Sequence, residues 1–448
     1  MARARKRARQ RRRAKSLLGS MREFLTPEVF KQVRNAAPRR KSPRWDLHPL
    51  LWILLLTTYC CGDSLPEKFV AARAFYVVCC PKRKRPGKSF AGFEKAVAKL
   101  PMPMLRALAA GIRGRFPLVF GDRWKVGNFI PLGCDGTRQD CPRSEELEQR
   151  LGSGGKEGSS PTIWNTSMVH LTLGIPFCWR LGKGSKSSER SHLIFMLRWL
   201  PQAALIVADA GYVGYEVLAT LLSRRVFFLI RMSSHATFYT ETHEPLEQFR
   251  EGMVYYWPKA QQKEGKPPLL GRLLRIRSVR HKTDVWLFTN VKDAQQLSLE
   301  MAARYYRWRW ENEGFFRTYK RTLKKATLMG RTVAQVHREA EASMIATQLL
   351  LCQGALAMPA VGKNGLPVMC SPRRVLLEAR HDISARKEPT EPFAERITRA
   401  ERERRVRTSA KEKREWPRRK PHTPPHPPVL LKLTDEQKLI LHNRLQAA

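Results

Sequence analysis

The spacing of apolar residues changes twice along the chain. From about residue 20 to 125 they recur at intervals of three and four, in 21–34, 48–60, 65–78 and 89–112, interrupted by Pro43, Pro49, Pro81 and Pro101. This pattern predicts amphipathic helices and a small helical domain. The most apolar run, LLWILLLTTYCC at 50–61, falls short of the roughly 20 residues that cross a bilayer and reads as a buried helix. Beyond 125 the period shortens. NFIPLGCDGT (128–137) reads as a strand ending at an acid, and SMVHLTLGI with PFCWRLG (167–182) as a hairpin pair. The Gly/Ser-rich stretch LGSGGKEGSSP (151–161) is the loop between them. A helix (188–200), a buried strand ALIVADAGY (204–212) that also ends at an acid, a helix (215–225) and a strand (226–232) follow. The fold class expected is α/β, a mixed sheet with helices on its faces.

From 235 to 291 short β-prone pieces, ATFYT, MVYYW, LLRIRSV and VWLFTNV, alternate with polar turns before helical periodicity returns at 305–325 and 333–358. Six segments are expected: a basic disordered arm 1–19, a helical domain 20–125, a mixed-sheet part 126–234, a β-rich insertion 235–292, a helical part 293–360, and a basic Pro-rich tail 361–448 closed by a short helix at 434–446. The tail is read from RERRVR and KEKREWPRRKPHTPPHPP, which are too poor in apolar residues to fold alone.

Charge narrows the class of partner. The 448 residues hold 83 Lys+Arg against 39 Asp+Glu, a net charge of +44. Such a field calls for a polyanion, and nucleic acid is the obvious one. The arm MARARKRARQRRRAK carries no acid and should stay extended until a phosphate backbone neutralises it. The basic start runs into an amphipathic segment rather than a signal-peptide core, so secretion is not expected. Nine cysteines, with pairs Cys60–Cys61 and Cys79–Cys80 that lack zinc-chelating spacing, read as reduced core thiols. No Walker loop and no zinc-finger spacing is present, so neither ATP nor zinc is implied.

The segment YYRWRWENEGFFRTYKRTLKK (305–325) carries the most chemistry. On one continuous helix Tyr306, Arg309, Glu313 and Lys320 fall within about 60° of one another, flanked by Arg317, Arg321 and Lys324. Tyr305, Trp308, Phe315, Phe316, Tyr319 and Leu323 line the opposite, core-facing side. Taken alone, Glu313 reads as an ion-paired surface group, and Asp135 and Asp209, each ending an apolar strand before a glycine-containing turn, read as turn formers. Together they suggest more. Acids at neighbouring parallel strand ends lie side by side and repel unless a cation neutralises them. With Glu313 they would suit two Mg²⁺ ions, which take oxygen ligands and need no His or Cys.

These residues resemble the DDE transposases of the bacterial insertion-sequence 4 type. That family's Y-x2-R-x3-E-x6-K signature is matched at Tyr306, Arg309, Glu313 and Lys320, the first acid's Asp-Gly-Thr at 135–137, and the second acid's Asp-x-Gly-Tyr at 209–212. The resemblance covers about 125–350. It implies a ribonuclease-H-like core with a β-strand insertion before the third acid. Asp135, Asp209 and Glu313 would be the catalytic metal ligands, with Mg²⁺ as cofactor and Mn²⁺ able to substitute. Tyr306, Arg309 and Lys320 would grip phosphates, and Arg317, Arg321 and Lys324 would add DNA contacts. It further implies double-stranded DNA as partner, with 20–125 as the DNA-binding domain and 126–234 and 293–360 as the two parts of the catalytic core, a homodimer in the DNA complex, and a cytoplasmic, nucleoid-associated bacterial protein. Two departures stand out: Asn312, where an apolar residue is usual, and the lengthened 151–161 link.

Other residues are ambiguous. His170 is expected in the core, Arg231 in solvent or at DNA, and Trp286 in packing or stacked on an extruded base. The rivals to a transposase are a metal-dependent nuclease of the same fold and an inactive, transposase-derived DNA-binding protein.

Overall fold

The computed structural model describes residues 16–38, 44–153, 158–185, 187–242, 245–277, 284–362, 366–385, 391–402 and 427–446. The arm 1–15 and the basic stretch 403–426 lie outside the described residues. Ten strands are found among the described residues: β1 Ile130–Asp140, β2 Thr162–His170, β3 Ile175–Lys183, β4 Ala204–Ala208, β5 Phe227–Arg231, β6 Thr237–Thr240, β7 Glu251–Tyr256, β8 Leu269–Ile276, β9 Val285–Thr289 and β10 Val429–Lys432. The chain forms two compact units, 1–124 with 136–188 and 311–403, and 125–135 with 189–310 and 404–448. β1 contributes its first residues, up to Asp135, to the second unit and the remainder to the first.

The first unit is mostly helical, with β1, β2 and β3 as its strands. β2 and β3 form the expected antiparallel hairpin, with a bulge between Met168 and Val169. Helices Pro27–Asn35, Leu47–Leu56, Leu65–Cys79, Phe90–Ala98 and Met102–Gly114 follow the apolar spacing, and the expected 89–112 helix is cut where Pro101 and Pro103 open a new one. At the centre lies Val333–Ala357, started by a Thr332–Gln335 capping box and buried on nearly every side from Ala340 to Ala355. A helix apolar all round belongs inside a core. Most of its polar groups are paired, with Gln348 Nε2 donating to Pro176 O at 2.8 Å, Tyr59 Oη to Ala346 O at 2.6 Å, and Trp179 Nε1 to Glu341 Oε1 at 3.1 Å, while Gln348 Oε1 and Gln353 Nε2 are buried without a partner. Burial pushes the Glu341 carboxyl up to about 7, although Arg106, the Trp179 hydrogen bond and Arg180 pull the other way.

Part of the stretch read as arm and tail is packed into this unit. Leu17 and Leu18 are buried, and Leu17 N donates to Asp382 Oδ2 at 3.0 Å. Helix Pro372–Ser384 buries Val375, Leu376 and Ala379, with Phe393 and Ile397 closing beside them. Sparse apolar residues escaped a compositional reading because those at 375, 376 and 379 lie on one helical face.

In the second unit the strand order is β10-β6-β7-β8-β9-β5-β4-β1. β1, β4 and β5 are parallel, whereas β9, β8, β7 and β6 continue antiparallel. The β-prone pieces of 235–291 thus extend the sheet directly from β5. Phe238 and Phe288 pack with ring centroids 5.1 Å apart, and Phe228 lies 5.7 Å from Phe288. Gly271 is required there, since a Cβ would come within 2.6 Å of both the Phe288 ring and Thr289 O. β10 pairs in parallel with β6. The expected C-terminal helix, Asp435–Gln446, follows it, and Leu433 packs with Tyr239 and Trp257. Among the described residues no helix is long and apolar enough to cross a membrane.

Candidate active site

β1 and β4 run parallel with Ile130, Pro131, Leu132 and Gly133 opposite Ala204, Leu205, Ile206 and Val207. Continuing that alignment by two residues brings Asp135 level with Asp209; Asp209 follows the last residue of β4 as read, but Asp135 lies within β1, which runs on to Asp140, rather than ending it. The pairing follows from sequence. Ala204–Ala208 is wholly buried and Ile130–Cys134 likewise, so both strands are fixed in the sheet by hydrophobic cover on both faces. Asp209 caps the short turn Ala210–Tyr212, its Oδ1 accepting from Gly211 N at 2.8 Å. The turn-former reading of Asp209 is therefore true without excluding another role, since a carboxylate offers further lone pairs.

Behind the aspartates Tyr212 is fully buried. Cys134 Sγ donates to its hydroxyl at 3.4 Å. Burial raises the Tyr212 hydroxyl well above its ordinary value, and Cys134, Glu189 and Asp135 add to the rise. The tyrosine therefore stays neutral beside the acids. Arg190 was not singled out by sequence, yet its Nε donates to Gly211 O at 2.8 Å and ties down the turn that Asp209 begins. No local pattern around it marked that role.

The 305–325 segment differs from its reading as one helix. It consists of helix Leu299–Trp308, a break at Arg309 and Trp310, helix Glu311–Arg317 and a π-turn Thr318–Thr322. Angular arithmetic at one fixed pitch fails across both irregularities. The two helices also serve different cores: Tyr305 donates to Val126 O in the second unit, whereas Asn312, Phe315 and Phe316 are buried in the first. The expected core side is otherwise as read, with Tyr305, Phe315, Phe316, Tyr319 and Leu323 buried and Trp308 partly so. Asn312, flagged as unusual, is fully buried.

The signature positions accordingly divide. Tyr306 and Arg309 stand together in the second unit, the Arg309 guanidinium lying 5.4 Å from the Tyr306 ring and 5.2 Å from that of Trp310. Arg309 is 7% exposed and its buried Nε has no hydrogen-bond partner, the state of a donor aimed at an acceptor from elsewhere. Glu313 is exposed in the first unit. Lys320 is half-buried there, its ammonium lowered by burial against a partial pull upward from Asp140. Arg317, Arg321 and Lys324 are exposed, and Lys324 has a positive φ of 54°. The structure thus brings Asp135 level with Asp209 and Tyr306 next to Arg309. Among the described residues no group of three or more His, Cys, Asp or Glu side chains could hold a metal ion. Two carboxylates on adjacent parallel strands nevertheless supply the hard oxygen donors that a divalent ion such as Mg²⁺ takes.

The segment is held from behind in the first unit. Tyr319, fully buried, accepts from Gln139 Nε2 at 3.0 Å and pairs with Ser343 Oγ at 2.7 Å. Phe315 stacks on Tyr319 with centroids 6.3 Å apart. Below, Glu339 accepts from Lys325 Nζ at 2.7 Å, Met329 N at 2.7 Å and Gly330 N at 2.9 Å. Burial alone would raise the Glu339 carboxyl, but the Lys325 ammonium and the two amides outweigh it and hold it below its ordinary range.

His170 is a core residue: its Nε2 hydrogen-bonds to Trp124 O at 3.0 Å, and burial takes it down to about 4. Trp286 is also core, 5% exposed and packed against Phe249 and Arg275. Arg231 ends β5, half-buried. None of the nine cysteines is in a disulfide, and Cys61 is exposed.

With this geometry in hand, comparison with known proteins is informative at one point. Residues 135–349 match the family model of the transposase DDE domain. The match begins at Asp135 and takes in Asp209, Tyr306, Arg309, Glu313 and Lys320, so every signature position lies inside it. Curated proteins give no match. Among solved structures, the chain is similar to a piggyBac transposase synaptic complex with hairpin DNA, at a TM-score of 0.40 and 11% identity. That likeness spans 83% of this chain and 80% of the other.

Proposed function

We propose that this protein is a DDE transposase of the insertion-sequence 4 type. It would cut DNA at the ends of a mobile element and join the freed 3′-hydroxyl to target DNA. The observation that carries the reading is the alignment of Asp135 with Asp209 on parallel strands, at the start of the stretch that matches the DDE model.

In this reading Asp135 and Asp209 hold a divalent metal, Mg²⁺ with Mn²⁺ able to substitute, and Glu313 is the third carboxylate. The signature, rather than the geometry, is what recommends Glu313. Such an ion supplies activation of the attacking oxygen and charge neutralisation at the leaving oxygen. Sheet hydrogen bonds and the Gly211 amide orient the aspartates, so little is lost in ordering them. Arg309, with an unpaired Nε beside the Tyr306 ring, grips a phosphate. Lys320, Arg317, Arg321 and Lys324 add charge that positions duplex without reading its sequence. A ribonuclease-H-like core and a homodimer on paired element ends belong to the same proposal.

The decisive assay offers the full chain a duplex carrying a pre-cut 3′-hydroxyl element end plus a target plasmid, with and without Mg²⁺. Joined products are expected only with the metal. Asp135→Asn should remove cleavage and joining by at least about 10³-fold with DNA affinity nearly unchanged. Cleavage at the unaltered rate in that variant would refute the metal assignment. Cutting without joining would favour the nuclease reading.

A further inference from the structure

A cavity of about 520 Å³ opens in the helical N-terminal part of the first unit, away from the acids in sequence and unused by the chemistry above. Arg22, Arg34, Lys82 and Arg83 line it, with no carboxylate among its walls. All four cations are exposed, and none is ion-paired within the described residues. Three of them act on one point: His48, in the same lining, is pushed down to about 3 by burial first and then by Arg83, Arg22 and Arg34.

The floor is of another character. Phe30 and Trp52 are buried, and Phe30 lies against the His48 ring at 4.8 Å. Trp52 Nε1 donates to His48 Nε2 at 3.2 Å, and His48 Nδ1 meets Tyr76 Oη at 3.0 Å. Because the imidazole is neutral and its Nε2 accepts, the proton is on Nδ1 and points to the tyrosine oxygen. The aromatic floor is thereby fixed and uncharged.

Cations that merely track a duplex backbone need a surface and no hollow. An apolar hollow beneath an uncompensated cationic rim suits a ligand with an anionic edge and a flat, weakly polar body. The geometry points to this cavity as a pocket for one unpaired nucleotide of a DNA strand, its phosphate at the Arg/Lys rim and its base against the Phe30–Trp52 floor. The inference rests on the reading that the chain handles DNA.

Cys79 and Cys80 line the cavity and are half-buried, while Cys61 is exposed and outside the lining. They provide the test. The full chain is alkylated with a thiol reagent in the presence of a short single-stranded oligonucleotide, a blunt duplex of equal length, or pyrophosphate, and each cysteine is followed by peptide mass spectrometry. With the single strand at ten times its dissociation constant, Cys79 and Cys80 should react about tenfold more slowly, and Cys61 at its usual rate. The duplex and pyrophosphate should protect far less. In Arg34→Ala/Arg83→Ala, whose exposed side chains leave the core intact, the protection should be lost while the melting temperature holds. Equal protection by pyrophosphate would reduce the cavity to an anion site and overturn the proposal, as would no protection by the single strand. Protection by the single strand without any metal-dependent cleavage would instead count against the transposase reading and leave the pocket standing.

Discussion

Two regions that the sequence marked equally clearly, the strand ends at Asp135 and Asp209 and the segment from Tyr305 to Lys325, fold with unequal fidelity to their motifs. The aspartates stand level, Asp209 just past the end of β4 and Asp135 where the buried run of β1 stops, although that strand continues to Asp140. The segment breaks at Arg309–Trp310, then widens into a π-turn at Thr318–Thr322. The difference is one of constraint. In a parallel sheet, ladder hydrogen bonds and two covered faces leave one register, so a buried run ending in an acid fixes where the acid goes. A helix has no comparable partner along its length, and its continuity yields to whichever core claims each turn. A π-turn accommodates such a conflict and is frequent at functional sites.

The comparison can be broken most severely at Glu313. If the signature marks a third metal ligand, Glu313→Gln should lower metal-dependent cleavage by the same factor as Asp209→Asn, about 10³-fold or more, as read on a pre-nicked duplex. A loss under tenfold in Glu313→Gln, with Asp209→Asn inactive, would leave the sheet edge catalytic and the segment only a DNA contact.

A smaller effect tests what fixes the segment. Glu339→Ala leaves the Lys325 ammonium, with its side chain 6% exposed, without its carboxylate, and should destabilise the protein by about 3–5 kcal/mol, measured by urea denaturation. The pH dependence has a definite sign. Because the folded Glu339 is held below its ordinary 4.5, its contribution is present above that value and is lost as pH falls through the folded pKa. The variant should therefore lose less stability on acidification than the parent. Smallest is Tyr319→Phe, which removes the hydroxyl shared by Gln139 and Ser343. It should cost roughly 1–2 kcal/mol and accelerate hydrogen exchange of the 318–323 amides more than those of β1.

Much of the fold was legible because each element carried its own period. β3, β4, β5, the four later strands and the central helix lie where alternation or helical spacing put them, whereas β2 runs from Thr162 to His170 and the end read for it is the hairpin turn. Composition misled where it averaged over a face. Helix Pro372–Ser384, with three arginines in its thirteen residues, reads as polar until Val375, Leu376 and Ala379 are seen on one side. β10 is four residues long after a run of prolines, and its pairing with β6 is a long-range event that local pattern cannot announce. At the site, the aspartate pair and the Tyr306–Arg309 pair were legible. Arg190 and the clasp of Glu339 on Lys325 were not, since each depends on contacts between distant stretches of chain.

Glu341 gives the first unit a quiet link to its solvent. A carboxyl whose half-point rises from 4.5 in the open chain to about 7 in the interior takes up a proton as the unit folds anywhere between those values. Its contribution is whole below 4.5 and is gone once pH has climbed to about 7, so the centre of the helical core loosens between mild acid and neutrality and no further beyond it.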